Sequence, residues 1–171
     1  MSLELLAEPA VTPITVAEVK EHLQIDNNDE DSLLDSYIKA ATKAVENITG
    51  RSLITQSWRQ LFLKPKLPLV LLKRPVQEIS EAKYLENGAE VIWEVANYQL
   101  LGFKVEAENL PADYIYVEYK SGYGDNAEDV PEDIRQVIKL LVAYWYKNRS
   151  EIAAVPEGFK ELLNSYKTIM Y

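Results

Sequence analysis

The sequence contains no cysteine, a single histidine and no long apolar run. The absence of cysteine excludes a disulfide framework, a thiolate metal site and a thiol nucleophile. Zinc sites built from histidine or cysteine are excluded as well, and a Ser-His-Asp triad would have to use His22. No serine in a nucleophile-elbow context accompanies this imidazole. We therefore expect an exposed or helix-capping histidine, no metal and no cofactor.

Features of membrane and secreted proteins are also missing. No window approaches the about 18 consecutive apolar residues that a membrane-spanning helix needs. The amino terminus lacks the basic start and long apolar run of a secretory signal. Apolar residues nevertheless make up 47% of the 171 positions, which is enough for a buried core. These observations predict a globular protein of a reducing cytosol, with no membrane partner.

Basic residues are scarce, and the charges are segregated along the chain. The net charge is −9, from 18 bases and 27 acids. Residues 1–50 and 81–129 are strongly acidic, whereas residues 51–80 carry six bases and one acid. A sequence-specific nucleic-acid binder is disfavoured, because phosphate affinity comes from clustered Lys and Arg. The charge blocks predict either ordinary solvated faces or an acidic patch that meets the basic segment of a neighbouring copy.

The acidic stretch IDNNDEDSL, residues 25–33, has the oxygen ligands of a calcium loop but not its geometry. Such a loop needs a glycine at its sixth position and a glutamate at its twelfth. Counted from Asp26, these positions hold Asp31 and Tyr37. The ligand ring cannot close, so we interpret the stretch as a hinge whose acids lie at the positive amino-terminal end of a helix.

Helical periodicity is present near both ends of the chain. Thr15 and Glu18 have the spacing of a capping box, and Ile14 and Val19 have that of a hydrophobic staple. Gly50 is suited to end the second helix in the left-handed conformation. The predicted helices run over residues 16–24, 29–48, 131–149 and 157–169.

The middle of the chain, from Arg51 to Lys120, changes to the period of β-strands. Asn87-Gly88 is the strongest hairpin signal, because both residues tolerate the positive φ angles of a tight turn. In YIYVEYK, residues 114–120, we expect Ile115, Val117 and Tyr119 to face the core. This region predicts an antiparallel sheet of about five to seven strands.

The predicted fold class is α+β. A bundle of about four helices comes from the amino- and carboxyl-terminal segments, with an inserted antiparallel β-sheet region. Residues 1–171 are expected to form a single domain, with helical parts at 12–50 and 130–171 and a β-rich part at 51–124.

Two other functions remain open on the residues alone. The 27 acids could supply a carboxylate pair for a small hydrolase, although no spacing singles one pair out. The glycines of SGYGDN do not match a phosphate-binding pattern. Tyr144, Trp145 and Tyr146 surround one helical turn, so an exposed aromatic could serve a monomeric protein-binding module.

Several segments together resemble the head–tail connector proteins of tailed bacteriophages and prophages. The segments are PITVAEVKEHL, DSLLDSYIKAATKAVENITGRSL, IYVEYKSGYG, VPEDIRQVIKLLVAYWYKNR and VPEGFKELLNSYK. The most specific parts are Thr49-Gly50-Arg51, the turn from Tyr119 to Tyr123, and the helix end at Tyr146, Asn148 and Arg149. The shorter members of that family are largely helical, so the chain departs from them in its β-rich middle.

The resemblance implies a non-enzymatic virion protein, an adaptor that joins the DNA-filled capsid to the tail. Its implied partners are itself, as a dodecameric ring on the portal, the portal protein, and a tail-side stopper or completion protein. DNA would pass through the ring without sequence-specific binding. The implied location is the virion neck, and the bacterial host cytoplasm before assembly. The open alternatives become a carboxylate-dependent phage hydrolase or a monomeric binding module.

The charge blocks suggest where neighbouring copies would touch. A ring uses a heterologous interface, in which one face of each copy meets a different face of the next. We predict two sets of interface residues: Lys64, Lys66, Lys73 and Arg74 on one side, and Asp29, Glu30 and Asp31 on the other.

Overall fold

A computed structural model describes residues 2–149 and 155–167. The chain divides into two compact units. We call residues 1–9 and 55–122 the β unit, and residues 10–54 and 123–171 the helical unit. Within the described residues, no helix is both long and apolar enough to cross a membrane.

The described part of the helical unit contains four α-helices. They are α1 (Val16–Leu23), α2 (Asp31–Thr49), α3 (Glu132–Lys147) and α4 (Glu157–Leu162). The predicted capping box is present, with Thr15 and Glu18 bonded reciprocally. Gly50 ends α2 at a φ of 71°, as its position in the sequence predicts. The last helix is shorter than predicted: a 3-10 turn, Asn164–Tyr166, follows it, and the predicted end at residue 169 lies outside the described residues.

The core of the helical unit is formed by the apolar stripes of α2 and α3. Its largest fully buried side chains include Leu34, Ile38, Ile138 and Trp145. Tyr144 and Tyr146 on either side of the tryptophan are half-buried, so this turn presents no fully exposed aromatic ring. The apolar period of both helices therefore predicted the buried residues, because one side of each helix packs against the other.

The β unit contains eight strands in two antiparallel sheets. They are β1 (Ser2–Ala7), β2 (Gln56–Leu63), β3 (Leu69–Val70), β4 (Val76–Glu86), β5 (Ala89–Ile92), β6 (Gln99–Leu101), β7 (Lys104–Glu106) and β8 (Tyr114–Ser121). One sheet has the order β1-β2-β8-β4-β5, and the other has the order β3-β7-β6. The sequence predicted one sheet from the middle of the chain; the structure has two, and its first strand comes from the amino terminus.

Both sheets bury residues in one apolar cluster. Ile115, Val117 and Tyr119 of β8 face this cluster, as predicted, and Leu69 and Val105 enter it from the three-stranded sheet. Since side chains alternate along a strand, the opposite side of each sheet points outward. The α+β fold class, with four helices and antiparallel sheets, is confirmed.

Candidate subunit interface

The predicted acidic side of the interface lies at the start of α2, in the helical unit. It consists of Asp29, Glu30 and Asp31. Asp31 pairs with Lys20 at 2.9 Å. Glu30 accepts hydrogen bonds from the Tyr146 hydroxyl and from Arg149 Nη2, the latter at 2.5 Å, and these bonds lower the pKa of Glu30. Glu30 and Asp31 therefore have partners within the helical unit, while Asp29 is exposed.

The predicted basic side lies in the β unit, between β2 and β4. It consists of Lys64, Lys66, Lys73 and Arg74. The first two are exposed. Lys73 Nζ lies 5.1 Å from the ring centroid of Trp58, and the guanidinium carbon of Arg74 lies 3.4 Å from that of Phe103, which are cation–π contacts. The contact between these bases and the three acids of a neighbouring copy stays a prediction.

The outward side of the five-stranded sheet, which we call the acidic face, carries a network of ion pairs within and between strands. Its charged residues are Glu4, Arg59, Glu78, Glu81, Lys83, Glu90, Glu118 and Lys120. Arg59 lies 2.7 Å from Glu118, and Lys83 lies 2.8 Å from Glu81 and 3.6 Å from Glu90. Hydrogen bonding to these carboxylates raises the pKa of both bases. Five acids against three bases leave this network with a net charge of −2.

A depression of about 130 Å³ opens among these ion pairs. Its lining consists of Arg59, Glu81, Lys83, Glu90, Tyr116 and Glu118. Three carboxylates and two bases give the lining a net charge of −1. The depression is therefore suited to accept a cationic side chain that approaches the sheet from outside.

An apolar strip borders the ion pairs on the acidic face. Leu63 is paired with Tyr114, and both are 48% exposed. Leu61 is paired with Tyr116 in the neighbouring outward row, and Ile92, at the edge strand, is 55% exposed. An uncovered strip of this kind, next to polar groups, is typical of a surface that contacts another protein.

The outward side of the three-stranded sheet, which we call the basic face, has a different character. Leu101 is paired with Lys104, which is in turn paired with Val70, and these three side chains share the face. Leu101 is 50% exposed, and Lys104 is also exposed. Arg74 and Lys104 contact the same Phe103 ring, with the guanidinium carbon at 3.4 Å and the Lys104 Nζ at 5.8 Å from its centroid. The acidic Glu106 at the other end of β7 leaves this surface with a net charge of +1.

Sequence reasoning missed most of both faces. The period-two pattern tells which residues of one strand share a side, but it does not tell which strands are neighbours. Glu4 and Glu118 meet on Arg59 only because β1 and β8 flank β2, although they lie far apart in the chain. The alternation in YIYVEYK, where Glu118 lies between Val117 and Tyr119, was a local signal for an outward charged position.

A groove of about 340 Å³ is present in the helical unit, between α3 on one side and α4 with the 3-10 turn Asn164–Tyr166 on the other. It includes the exposed residues Leu140 and Leu162. At one end, the Tyr166 hydroxyl donates to Asp133, whose oxygens lie 2.6 and 2.7 Å away, and this bond raises the pKa of Tyr166 to about 12. Arg51 Nε donates to the Tyr166 carbonyl at 2.7 Å. Tyr166 is therefore bonded through both its side chain and its backbone.

The carboxyl groups with shifted pKa values do not resemble a catalytic pair. Hydrogen bonds lower the pKa of Glu30 and Glu157. In Glu18, burial works against the ionised form, but hydrogen bonds from Thr15 outweigh it and the pKa is also lowered. A general acid needs a raised pKa. The described residues contain no group of three or more His, Asp or Glu side chains placed to bind a metal ion.

Comparison with known structures gives close matches over the whole chain. The neck of an empty gene transfer agent (GTA) particle, computed with C6 symmetry, contains a chain with a TM-score of 0.84 and 25% identity, and the match covers 100% of this chain and 97% of the other. The virion of the native GTA particle gives the same values. The neck of the native GTA particle, computed with C12 symmetry, shares the fold at a TM-score of 0.80 and 24% identity, with the same coverage.

Comparison with curated protein sequences found no match. A family model described as "Head completion protein" matches residues 12–168. This match includes all the segments on which the sequence resemblance to head–tail connectors rests, and it confirms that resemblance. The chain therefore belongs to the head completion protein family, and it has the structural role of a head–tail connector.

Proposed function

We propose that the chain acts as a single connector domain that assembles as a dodecameric ring on the portal. On this proposal it binds the portal protein on one side and a tail-side stopper or completion protein on the other, and it has no enzymatic activity. It resides in the bacterial host cytoplasm before assembly and in the virion neck afterwards. The observation that carries the proposal is the match to the GTA neck chain over 100% of this chain, at a TM-score of 0.84.

The symmetry of that neck is compatible with twelve copies. The GTA neck was computed with C6 symmetry. A ring of twelve identical subunits also obeys C6 symmetry, because the sixfold rotations are among its twelvefold rotations. Cyclic rings need heterologous contacts between two different surfaces of the subunit. The acidic face and the basic face of the β unit are two such surfaces, since their residues and net charges differ.

DNA is proposed to pass through the ring without sequence-specific binding. The chain carries a net charge of −9, and retention of a phosphate backbone depends on clusters of Lys and Arg that neutralise it. A protein with this net charge repels DNA overall. This property suits a passage through which the genome must move freely in both packaging and ejection.

We also keep the predicted contact between the basic segment and the start of α2 as part of the proposal. Lys64, Lys66 and Asp29 are exposed and therefore accessible to a neighbouring copy. Glu30 and Asp31 would take part while keeping the bonds they already make. Reversing the charges of Lys64 and Lys66 together should then reduce assembly.

The ring is tested by producing the protein with the portal protein encoded in the same genome. Native mass spectrometry of the purified complex should give a mass equal to the portal plus twelve copies, and electron microscopy should show an added ring. The protein without its portal is the control. A chain that stays monomeric and does not bind the portal would contradict the proposed function.

A further inference from the structure

We propose that the β units of neighbouring copies stack head to tail, with the basic face of one copy on the acidic face of the next. This inference rests on the ring assembly of the proposed function and names the surfaces that form it. The occupant of each exposed sheet face is thus a second copy of the same chain. Three properties of the β unit support it: the position of the two faces, their apolar residues and their charges.

The two faces lie on opposite sides of the β unit. Trp58, Ile115 and Val117 of the five-stranded sheet and Leu69 and Val105 of the three-stranded sheet enter one buried cluster. Each sheet therefore covers the inner side of the other, and their remaining sides point away from each other. Two different surfaces on opposite sides of a subunit are what a head-to-tail contact requires.

Both faces expose apolar side chains that lack cover within the β unit. Ile92 and Tyr114 on the acidic face are 55% and 48% exposed, and Leu101 on the basic face is 50% exposed. Each lies in a row of outward residues fixed by strand register. Burial of these side chains against each other removes apolar area from water at both surfaces, which favours association.

The charges of the two faces are complementary. Lys104 on the basic face forms no ion pair with a described residue, whereas Glu90 and Glu4 on the acidic face are 59% and 63% exposed in their side chains. The depression on the acidic face, bounded by three carboxylates and two bases, can accept the ammonium group of Lys104. Like faces would oppose charges of the same sign, so the charges favour the head-to-tail arrangement over a symmetric pair.

Cysteine cross-linking tests the contact directly. The chain has no cysteine, so each introduced thiol is the only one in its subunit. Glu90→Cys and Lys104→Cys are prepared as separate proteins, mixed, assembled with the portal protein and treated with a short bis-maleimide. A head-to-tail contact brings together two different positions, so a covalent dimer is expected in the mixture and in neither variant alone.

Lys43→Cys, at an exposed position of α2, is the matched control. Its mixture with Glu90→Cys should give no dimer. If native mass spectrometry shows intact rings but the Glu90→Cys and Lys104→Cys mixture gives no more dimer than this control, the stacking is wrong and the ring stands. Dimers from Glu90→Cys alone would indicate a symmetric contact and would also overturn it. If the unmodified protein forms no ring, the proposed function fails and the stacking fails with it.

Charge reversal gives a second, independent readout. Lys104→Glu alone and Glu90→Lys alone should each lower the yield of rings, because each places like charges across the contact. The double variant should restore the yield, and Lys43→Glu should leave it unchanged. A double variant no better than either single one would contradict the pairing of the two positions across neighbouring copies.

Discussion

At the scale of single residues, buried polar contacts fasten the connection between β3 and β4 to the five-stranded sheet. Gln60 is fully buried; its amide nitrogen donates to the Val70 carbonyl at 2.9 Å, and its amide oxygen accepts from the Leu72 nitrogen at 3.0 Å. The Tyr119 hydroxyl donates to the same oxygen and accepts from the Lys73 nitrogen at 3.1 Å. Burial raises the pKa of Tyr119 to about 12, so this hydroxyl stays protonated at ordinary pH.

Removal of that hydroxyl should destabilise the protein. We expect Tyr119→Phe to lower the free energy of unfolding by about 1–2 kcal/mol, because the Lys73 nitrogen loses a buried acceptor. Urea denaturation followed by tryptophan fluorescence measures the change. Tyr114→Phe is the matched control, since this tyrosine is 48% exposed, and we expect a change within about 0.5 kcal/mol. Equal effects of the two substitutions would show that the buried hydroxyl has no special role.

At the scale of secondary-structure elements, two glycines should respond in opposite directions to the same substitution. Gly50 has a φ of 71° at the end of α2, where a Cβ is strained. Gly158 lies within α4, and an added Cβ would meet nothing within 4 Å. We expect Gly50→Ala to cost about 1 kcal/mol and Gly158→Ala to be neutral or stabilising by up to about 1 kcal/mol. Thermal unfolding measures both, and destabilisation by Gly158→Ala would contradict the described geometry.

The start of α1 should contribute a pH-dependent part of stability. Glu18 bonds Thr15 and pairs with Arg135 at 2.7 Å, and its pKa in the folded protein is lowered from 4.5. A lowered folded pKa means that the contribution is present above pH 4.5 and is lost as the pH falls through the folded pKa. The difference in unfolding free energy between the unmodified protein and Glu18→Gln should therefore shrink as the pH falls below 4.5. A difference that is constant from pH 7 to pH 3 would contradict this assignment.

Elements with strong local signals could be predicted from the sequence, and elements that depend on distant partners could not. Asn87 and Gly88 form the turn between β4 and β5, with φ angles of 52° and 82°, because the conformation is a property of these two residues. Ser2–Ala7 has too few β-branched residues to indicate a strand, and it becomes one by pairing with β2. Val95, which continues an alternating pattern, is 73% exposed in a 3-10 turn because β5 ends before it.

At the scale of the whole molecule, the α+β class followed from where helical and extended periods lie along the chain. The division of the strands into two sheets did not, because it depends on pairings such as β3 with β7, whose partners are separated by more than thirty residues. The charged residues of the predicted interface were visible in the sequence, yet their partners within each unit were not. Glu30 is an example, since its bond to Tyr146 joins residues from opposite ends of the chain.

The strand Ser2–Ala7 belongs to the β unit, although the helical unit begins immediately after it in the sequence. Neither unit is therefore encoded by one uninterrupted stretch. A gene that lost only the codons for residues 55–122 would leave this strand without the partner on which it pairs. Shortening of the protein toward a purely helical form would require two coordinated deletions, one at the amino terminus and one in the middle, so we expect the strand and the insertion to be gained or lost together.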